Sequence, residues 1–352
     1  MKYKIAVIPG DGIGKEVIPA SLRVLDKLST LCGFELDYIH YDYSCELYKR
    51  TGNMMPDDGI ARLSDSDAIF LGAVGYPGVP DHISLWGLLI PIRRAFQQYV
   101  NIRPVRLLKG IQSPLRNPGE IDFVIIRENN EGEYSSIGGK IHEGTTYEAV
   151  IQESVFTKMG VDRIMKYAFE LAGKRKKKLA SATKSNGIIH TMTYWDERFE
   201  EIGKNYQHIE RSKFHIDILC AQFVQHPDWF DVVVASNLFG DILSDLGPSV
   251  VGGLGIAPGA NLNPEKKFPS MFEPVHGSAP DIAGKNIANP IASFWTAQMM
   301  LEHLGEQDAA DLLMKAIEKT TSAREVLTRD LGGKAFTSEV TDEIVKHLDS
   351  IH

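Results

Sequence analysis

An α/β fold is what this sequence predicts, and three observations predict it. Short apolar runs rich in β-branched residues alternate with longer helical patterns along 352 residues. No period of 20 to 50 residues recurs, which sets repeat architectures aside. The first apolar run, Ile5 to Ile8, passes through Pro9, Gly10, Gly12 and Gly14 directly into a helical pattern, the strand–turn–helix step of such folds. The length suggests two domains, or one large core with a second lobe.

Taken in order, residues 4–8 are an apolar strand and 15–31 an amphipathic helix beyond the glycine turn. Apolar runs at 34–41 and 68–71 predict strands flanking a helix at 57–63. A helix is expected over 88–99, carrying Arg93, with Arg103 just after it. Strands follow at 123–126, 178–182 and 231–236, separated by helices at 162–173 and 191–203. Ser236 and Asn237 are good helix-capping residues before a helix at 238–246, and three late helices cover 291–304, 309–320 and 338–348. Two loop-rich zones, 71–86 and 247–290, are long enough to be functional; the second has few charges and is expected to fold tightly onto something.

The glycine turn has the spacing G-x-G-x-G followed by Lys15, whereas a dinucleotide fingerprint needs G-x-G-x-x-G. It is therefore expected to be a tight corner of the sheet and not a pyrophosphate loop. A net charge of −8 disfavours non-specific nucleic-acid binding. The basic run Lys174 to Lys178 follows a helical pattern, where cations complement the helix dipole. No apolar run reaches the roughly 18 residues of a membrane helix, and no signal-peptide pattern opens the chain. The three scattered cysteines, Cys32, Cys45 and Cys220, fit a reducing compartment. A cytoplasmic location is expected.

Several segments could carry chemistry. In "VVVASNLFGDILSDLG" a buried strand leads into a helix with Asp241 and Asp245 at i and i+4. Like charges at that spacing repel, and a hard divalent cation would offset the repulsion; a solvated acidic face is the competing account. Arg93, Arg103 and Arg127 stand at helix or strand ends, where guanidinium forks could grip a di- or tricarboxylate, or simply form surface ion pairs. Lys184 lies between a strand and a helix, and a desolvated lysine there can serve as a base. The stretch "MFEPVHGSAPDIAGKNIANP" offers Glu273, His276, small residues and Asp281; a carboxylate in a nucleotide loop favours ribose hydroxyls over a 2′-phosphate.

In this order, "IPGDGIGKEV", "NIRPVR", "NLFGDILSDL" and "FEPVHGSAPDIAGKNIANP" resemble the β-hydroxyacid oxidative decarboxylases, which include isocitrate, isopropylmalate, tartrate and D-malate dehydrogenases. The likeness runs nearly end to end, and "DHISLWGLL", "RENNEGEYSSIGG" and "SATKSNG" look most like the tartrate and D-malate branch. It implies a two-lobed isopropylmalate-dehydrogenase-like fold with a large mixed sheet flanked by helices, not a standard Rossmann fold. Residues 1–104 with 253–352 would form the cofactor lobe, and 105–252 the substrate, metal and dimerisation lobe. It also implies Arg93, Arg103 and Arg127 as the carboxylate clamp, and Tyr134 and Lys184 as the proton-transfer pair. Asp217, Asp241 and Asp245 match its metal ligands, with Lys184 and Asp217 reaching the site from the second subunit of a homodimer. Glu273, His276, Gly277, Ser278, Ala279, Asp281 and Asn289 match its NAD site; Asp281 takes the place of a lysine found in NADP-using relatives. The cofactors implied are NAD and Mg²⁺ or Mn²⁺, with K⁺ as a further candidate.

One departure matters for the substrate. Trp86 stands near the position where isopropylmalate enzymes carry an acidic residue, and Pro91 lies close to Arg93. A substrate with a small or hydroxyl γ-substituent is therefore expected: D-malate, oxidised and decarboxylated to pyruvate, or tartrate. The alternatives are an isopropylmalate dehydrogenase and, from a different class, a regulatory subunit that binds nucleotide without turnover.

Overall fold

The computed structural model describes residues 1–351. In chain order its first part runs β1 (Lys2–Gly10), α1 (Gly14–Cys32), β2 (Glu35–His40), α2 (Cys45–Thr51), α3 (Gly59–Leu63) and β3 (Ala68–Ala73). Then come α4 (Asp81–Ser84), a π-helical turn (Leu85–Leu89) and α5 (Ile90–Ala95), followed by β4 (Val100–Arg106) and β5 (Asp122–Glu128). The middle holds a hairpin of β6 (Gly138–Ile141) and β7 (Ala149–Gln152), then α6 (Lys158–Lys174), β8 (Lys178–Thr183), α7 (Thr191–Gly203), β9 (Glu210–His215), α8 (Ile216–Gln225), β10 (Val232–Ala235) and α9 (Asn237–Val251). Two short strands, β11 (Ala260–Leu262) and β12 (Ser270–Phe272), precede α10 (Ile291–Leu304), α11 (Gln307–Ala323) and α12 (Thr337–Ile351).

Ten strands form one mixed sheet in the order β2-β1-β3-β12-β11-β4-β5-β10-β8-β9. Its two ends are parallel; the middle, from β12 through β11 and β4 to β5, is antiparallel. Period-two alternation puts Ile5 and Val7 of β1 in the core under α1 and α10, and Ala6 and Ile8 in a second cluster with Leu88, Ile92 and Phe96. On the other half Gly247 of α9 packs against Val105 and Ile125, so α9 covers the face to which Arg103 and Arg127 also point.

The structure corrects several expectations. The helix expected over 88–99 is shorter and irregular: Pro91 opens α5 and cannot donate a backbone N–H, and a π-helical turn precedes it. Arg103 is in a strand. "NIRPVR" hides that strand because Pro104 interrupts it, but β11 pairs only with residues 100–102, so Pro104 faces an open edge. The 247–290 zone packs tightly in part, with 265–268 and 284–286 exposed; within it β11 and β12 are wholly buried at the centre of the sheet, three residues each, too short to show a period. Edge strand β9 is polar and half-exposed, which conceals it likewise. Arg175 of the basic run ties Asp122 and Asp231 together at 2.9 and 2.8 Å. No helix among the described residues is long and apolar enough to cross a membrane.

Candidate functional site

The glycine corner sets the geometry of the cleft. A Cβ on Gly10 would lie 2.0 Å from the Ala73 carbonyl oxygen, and one on Gly12, at φ +53°, 2.0 Å from that of Ser278. The Ile13 N–H donates to the Ser278 carbonyl (2.8 Å), and Glu16 in the first turn of α1 accepts from the N–H groups of Gly284 (2.5 Å) and Asn286 (2.8 Å). The glycines thus let backbone meet backbone, and α1 holds the 276–289 loop. Buried Asp11 accepts from the backbone of Cys45 and Gly75, fixing the opposite wall.

At the middle of the sheet, buried polar groups replace apolar ones. Arg93 on α5 donates to Glu273 at 2.7 Å, Asn261 donates to the same carboxylate at 2.8 Å, and Arg103 stands 4.0 Å from it. Asn101 accepts from the Arg103 Nε at 2.9 Å and donates to Asn261, as Asn129 does. Arg127 donates twice to the Asn237 amide oxygen (3.0 and 2.7 Å) and also pairs with Asp241. Three buried guanidiniums therefore face two carboxylates. Burial pulls Arg103 down to about 10 against the pull of Glu273, and lowers Arg127 as well. Two of their donors, Arg93 Nε and Arg103 Nη1, are buried without a partner. This is a cleft short of anions.

Asp241 begins the acidic face of α9. Burial opposes its charge, but Arg127, the Tyr134 hydroxyl at 2.5 Å and the other two arginines outweigh it and hold the carboxyl below its usual value. Asp245, one turn on, is pushed up by its packing and by Asp241 beside it. Burial and the bond to Asp241 push the Tyr134 hydroxyl up to about 12, so it is protonated at neutral pH. Lys184 follows β8 and Asp217 opens α8; they pair with each other at 2.7 Å on the surface and touch neither Asp241 nor Tyr134. Among the described residues of one chain no three His, Cys, Asp or Glu side chains are arranged to hold a metal ion.

In the 273–289 loop Glu273 and Asn289 have their polar groups engaged within the protein. Asn289 donates to Asp330 at 2.9 Å and accepts from the Ile291 N–H at the start of α10. His276 is held neutral by burial and its Nε2 has no partner. Ser278 is buried, Ala279 takes a left-handed conformation at φ +40°, and Gly277 and Asp281 are exposed. The cleft between this loop, the π-helical turn and the arginines encloses about 200 Å³ and is lined by Val74, Leu85 and Leu89 on its apolar side.

Sequence reasoning missed Glu133. Ser236 makes no side-chain cap for α9, and Asn237 serves Arg127 instead; the carboxylate of Glu133 accepts from Ser236 Oγ at 2.8 Å and the Leu238 N–H at 3.0 Å. Three glutamates in "RENNEGEY" were the available signal: Glu128 accepts from the N–H groups of Asn130 and Glu131, and Glu131 holds Thr157 at the start of α6.

Residues 4–344 match the family model described as isocitrate/isopropylmalate dehydrogenase. The chain is 59% identical over 353 residues to a D-malate dehydrogenase (decarboxylating) of Escherichia coli, covering 97% of this chain and 98% of that one. It is 57% identical over 349 residues to a tartrate dehydrogenase/decarboxylase of Pseudomonas putida, covering 96% and 95%. A crystal structure of isocitrate dehydrogenase from Methylococcus capsulatus superposes with a TM-score of 0.89 at 33% identity, covering 98% and 99%. A mixed sheet with an antiparallel middle, an arginine-rich cleft above it and full-length likeness to these enzymes lead to one assignment: the chain belongs to the isocitrate/isopropylmalate dehydrogenase family.

Proposed function

We propose that the protein is an NAD-dependent dehydrogenase that oxidises and decarboxylates a small 2-hydroxy dicarboxylic acid, D-malate or tartrate. The observation that carries this reading is the anion-short cleft, where Arg93 Nε and Arg103 Nη1 point unpartnered beside Glu273. An unsatisfied buried guanidinium N–H is costly, and a substrate carboxylate supplies the missing acceptor. The wall beside Arg93, made by Leu85, Leu89 and Val74 in a space of about 200 Å³, suits a four-carbon diacid. The sequence likeness to enzymes named for D-malate and tartrate agrees.

The residues fit the groups this chemistry needs. Asp241 and Asp245 are hard oxygen donors, and burial, with Asp241 beside it, pushes the Asp245 carboxyl up despite Arg103 and Arg127. Among the described residues no third His, Cys, Asp or Glu joins Asp241 and Asp245 to hold a metal ion, and exposed Asp217, paired with half-buried Lys184, is our candidate for a ligand supplied by a second copy. The β6–β7 hairpin supports a homodimer. A two-stranded hairpin is marginal alone, and Ile137, Ile141, Val150 and Ile151 stand exposed on it. For the dinucleotide, neutral His276 with its unpartnered Nε2 and the open backbone at Gly277 give a polar, uncrowded wall. We read residues 1–104 with 253–352 as the lobe for that cofactor and 105–252 as the lobe for substrate and metal.

When bound, Mg²⁺ or Mn²⁺ would supply Lewis acidity toward the substrate hydroxyl and NAD⁺ would supply the hydride acceptor. Arg93, Arg103 and Arg127 bind and orient the two carboxylates. Lys184 of the partner subunit takes the hydroxyl proton. After CO₂ leaves, Tyr134, protonated at neutral pH, returns a proton to carbon. NADH formation from D-malate, L-tartrate and 3-isopropylmalate, with Mn²⁺ and K⁺ present, tests the reading. Turnover of D-malate or tartrate is expected; a kcat/KM for isopropylmalate far above both, or undiminished activity in EDTA, would contradict it.

A further inference from the structure

Helix α5 turns two successive arginines to different tasks. Arg93 is buried against Glu273, while Arg94 is half-exposed, lies 5.0 Å over the Trp86 ring and donates from Nη2 to the Tyr134 carbonyl oxygen at 2.8 Å. Trp86 belongs to the π-helical turn that leads into the same helix, an irregularity often found at functional positions. Residues 133 and 134 are thereby gripped from two sides. The Glu133 carboxylate caps α9, which carries Asp241, and the Tyr134 backbone is tied to α5, which carries Arg93. The Tyr134 hydroxyl meets Asp241 at 2.5 Å between these anchors.

We propose that Arg94, seated on Trp86 and bonded to the Tyr134 carbonyl, is a positioning residue that fixes the proton-donating tyrosine relative to the arginine clamp. This rests on the reading above in which Tyr134 is the proton donor. Stacking on an indole face holds the guanidinium in one orientation, so its planar fork meets the carbonyl with little loss of side-chain freedom. Because the same helix presents Arg93, docking of a carboxylate on Arg93 and placement of Tyr134 move together. Trp86 thus has a structural partner in Arg94.

The test compares wild type with Arg94→Met, Arg94→Gln and Trp86→Leu as full chains, by steady-state kinetics on D-malate and by amide hydrogen exchange without ligands. Arg94→Met is expected to lower kcat about tenfold while KM changes less than about twofold, since misplacing a reacting group slows the step without removing a substrate contact. Arg94→Gln, which keeps an N–H donor, is expected to recover most of the loss, and Trp86→Leu to fall between. Exchange of the amides of residues 131–136 is expected to quicken in Arg94→Met. Wild-type kcat in Arg94→Met would overturn the proposal. So would a KM raised more than tenfold at unchanged kcat, which marks a substrate contact, or equal loss in Arg94→Met and Arg94→Gln. Should Arg94→Met not fold, Arg94→Gln and Trp86→Leu decide: wild-type kcat in Trp86→Leu, with unchanged exchange over 131–136 in both, overturns the brace. If wild type turns over neither D-malate nor tartrate, the proposed function fails. The exchange comparison then still decides the brace, unchanged protection over 131–136 in Arg94→Met overturning it.

Discussion

Glu273 shows how far a residue's setting can differ from the role its motif suggests. It stands in the stretch that resembles a nucleotide loop, yet its carboxylate is buried between Arg93 and Arg103 and bonded to Asn261. Burial alone would raise it, but the two guanidiniums dominate and hold it below the usual carboxylate range. Replacing it with a neutral isostere leaves guanidinium charges buried without compensation. Glu273→Gln should therefore lose about 3 kcal/mol of stability by denaturant unfolding, a far larger change than any in NAD affinity. Glu128 gives a prediction in pH. Burial pushes its carboxyl up to about 7, against the backbone N–H bonds and Arg163 that favour its charge. A carboxyl raised in the folded state stabilises below its unfolded value, near 4.5, and that contribution is lost as pH rises through 7. Wild-type stability should thus fall relative to Glu128→Gln between pH 4.5 and 7, as read by unfolding curves across that range. Parallel curves would contradict the assignment.

At the scale of elements, the opening corner was legible and its neighbours were not. Glycine spacing alone argued against a pyrophosphate loop, and the structure shows why the glycines are there: Gly12 touches the Ser278 carbonyl and Gly10 that of Ala73. Gly12→Ala should cost about 3 kcal/mol, from backbone overlap as well as a left-handed φ, and should raise the KM for NAD⁺ by displacing the 276–289 loop. Gly33→Ala is the control, because its φ of +77° meets open space and only the conformational penalty of about 1 kcal/mol applies. The long helices and apolar strands were readable because each shows its own period over enough residues. β11 and β12 were hidden by length, β9 by its polar edge position and β4 by Pro104. The start of α9 was misread for a different reason: Ser236 and Asn237 have capping chemistry, but the cap comes from Glu133, more than a hundred residues earlier, and no local pattern encodes that.

For the whole molecule we propose that one chain holds only part of a site. The arginines, Asp241, Asp245 and Tyr134 gather over the middle of the sheet, while Lys184 and Asp217 pair with each other on the surface. Asp241, Asp245, the arginines and Lys184 offered their chemistry in the sequence itself, whereas the roles of Tyr134 and Asp217 and the proposed division of the site between two chains came only with the resemblance. The most direct measurement is complementation in a mixed dimer, purified through two different tags, of a Lys184→Met chain with an Asp241→Asn chain. Each homodimer lacks an essential group at both sites and should be inactive on D-malate with NAD⁺ and Mn²⁺. In the mixed dimer one site receives Asp241 from the first chain and Lys184 from the second, so it should show about half the wild-type rate per dimer. A mixed dimer as inactive as its parents would contradict the shared site and place Lys184 and Asp241 in the same chain's chemistry.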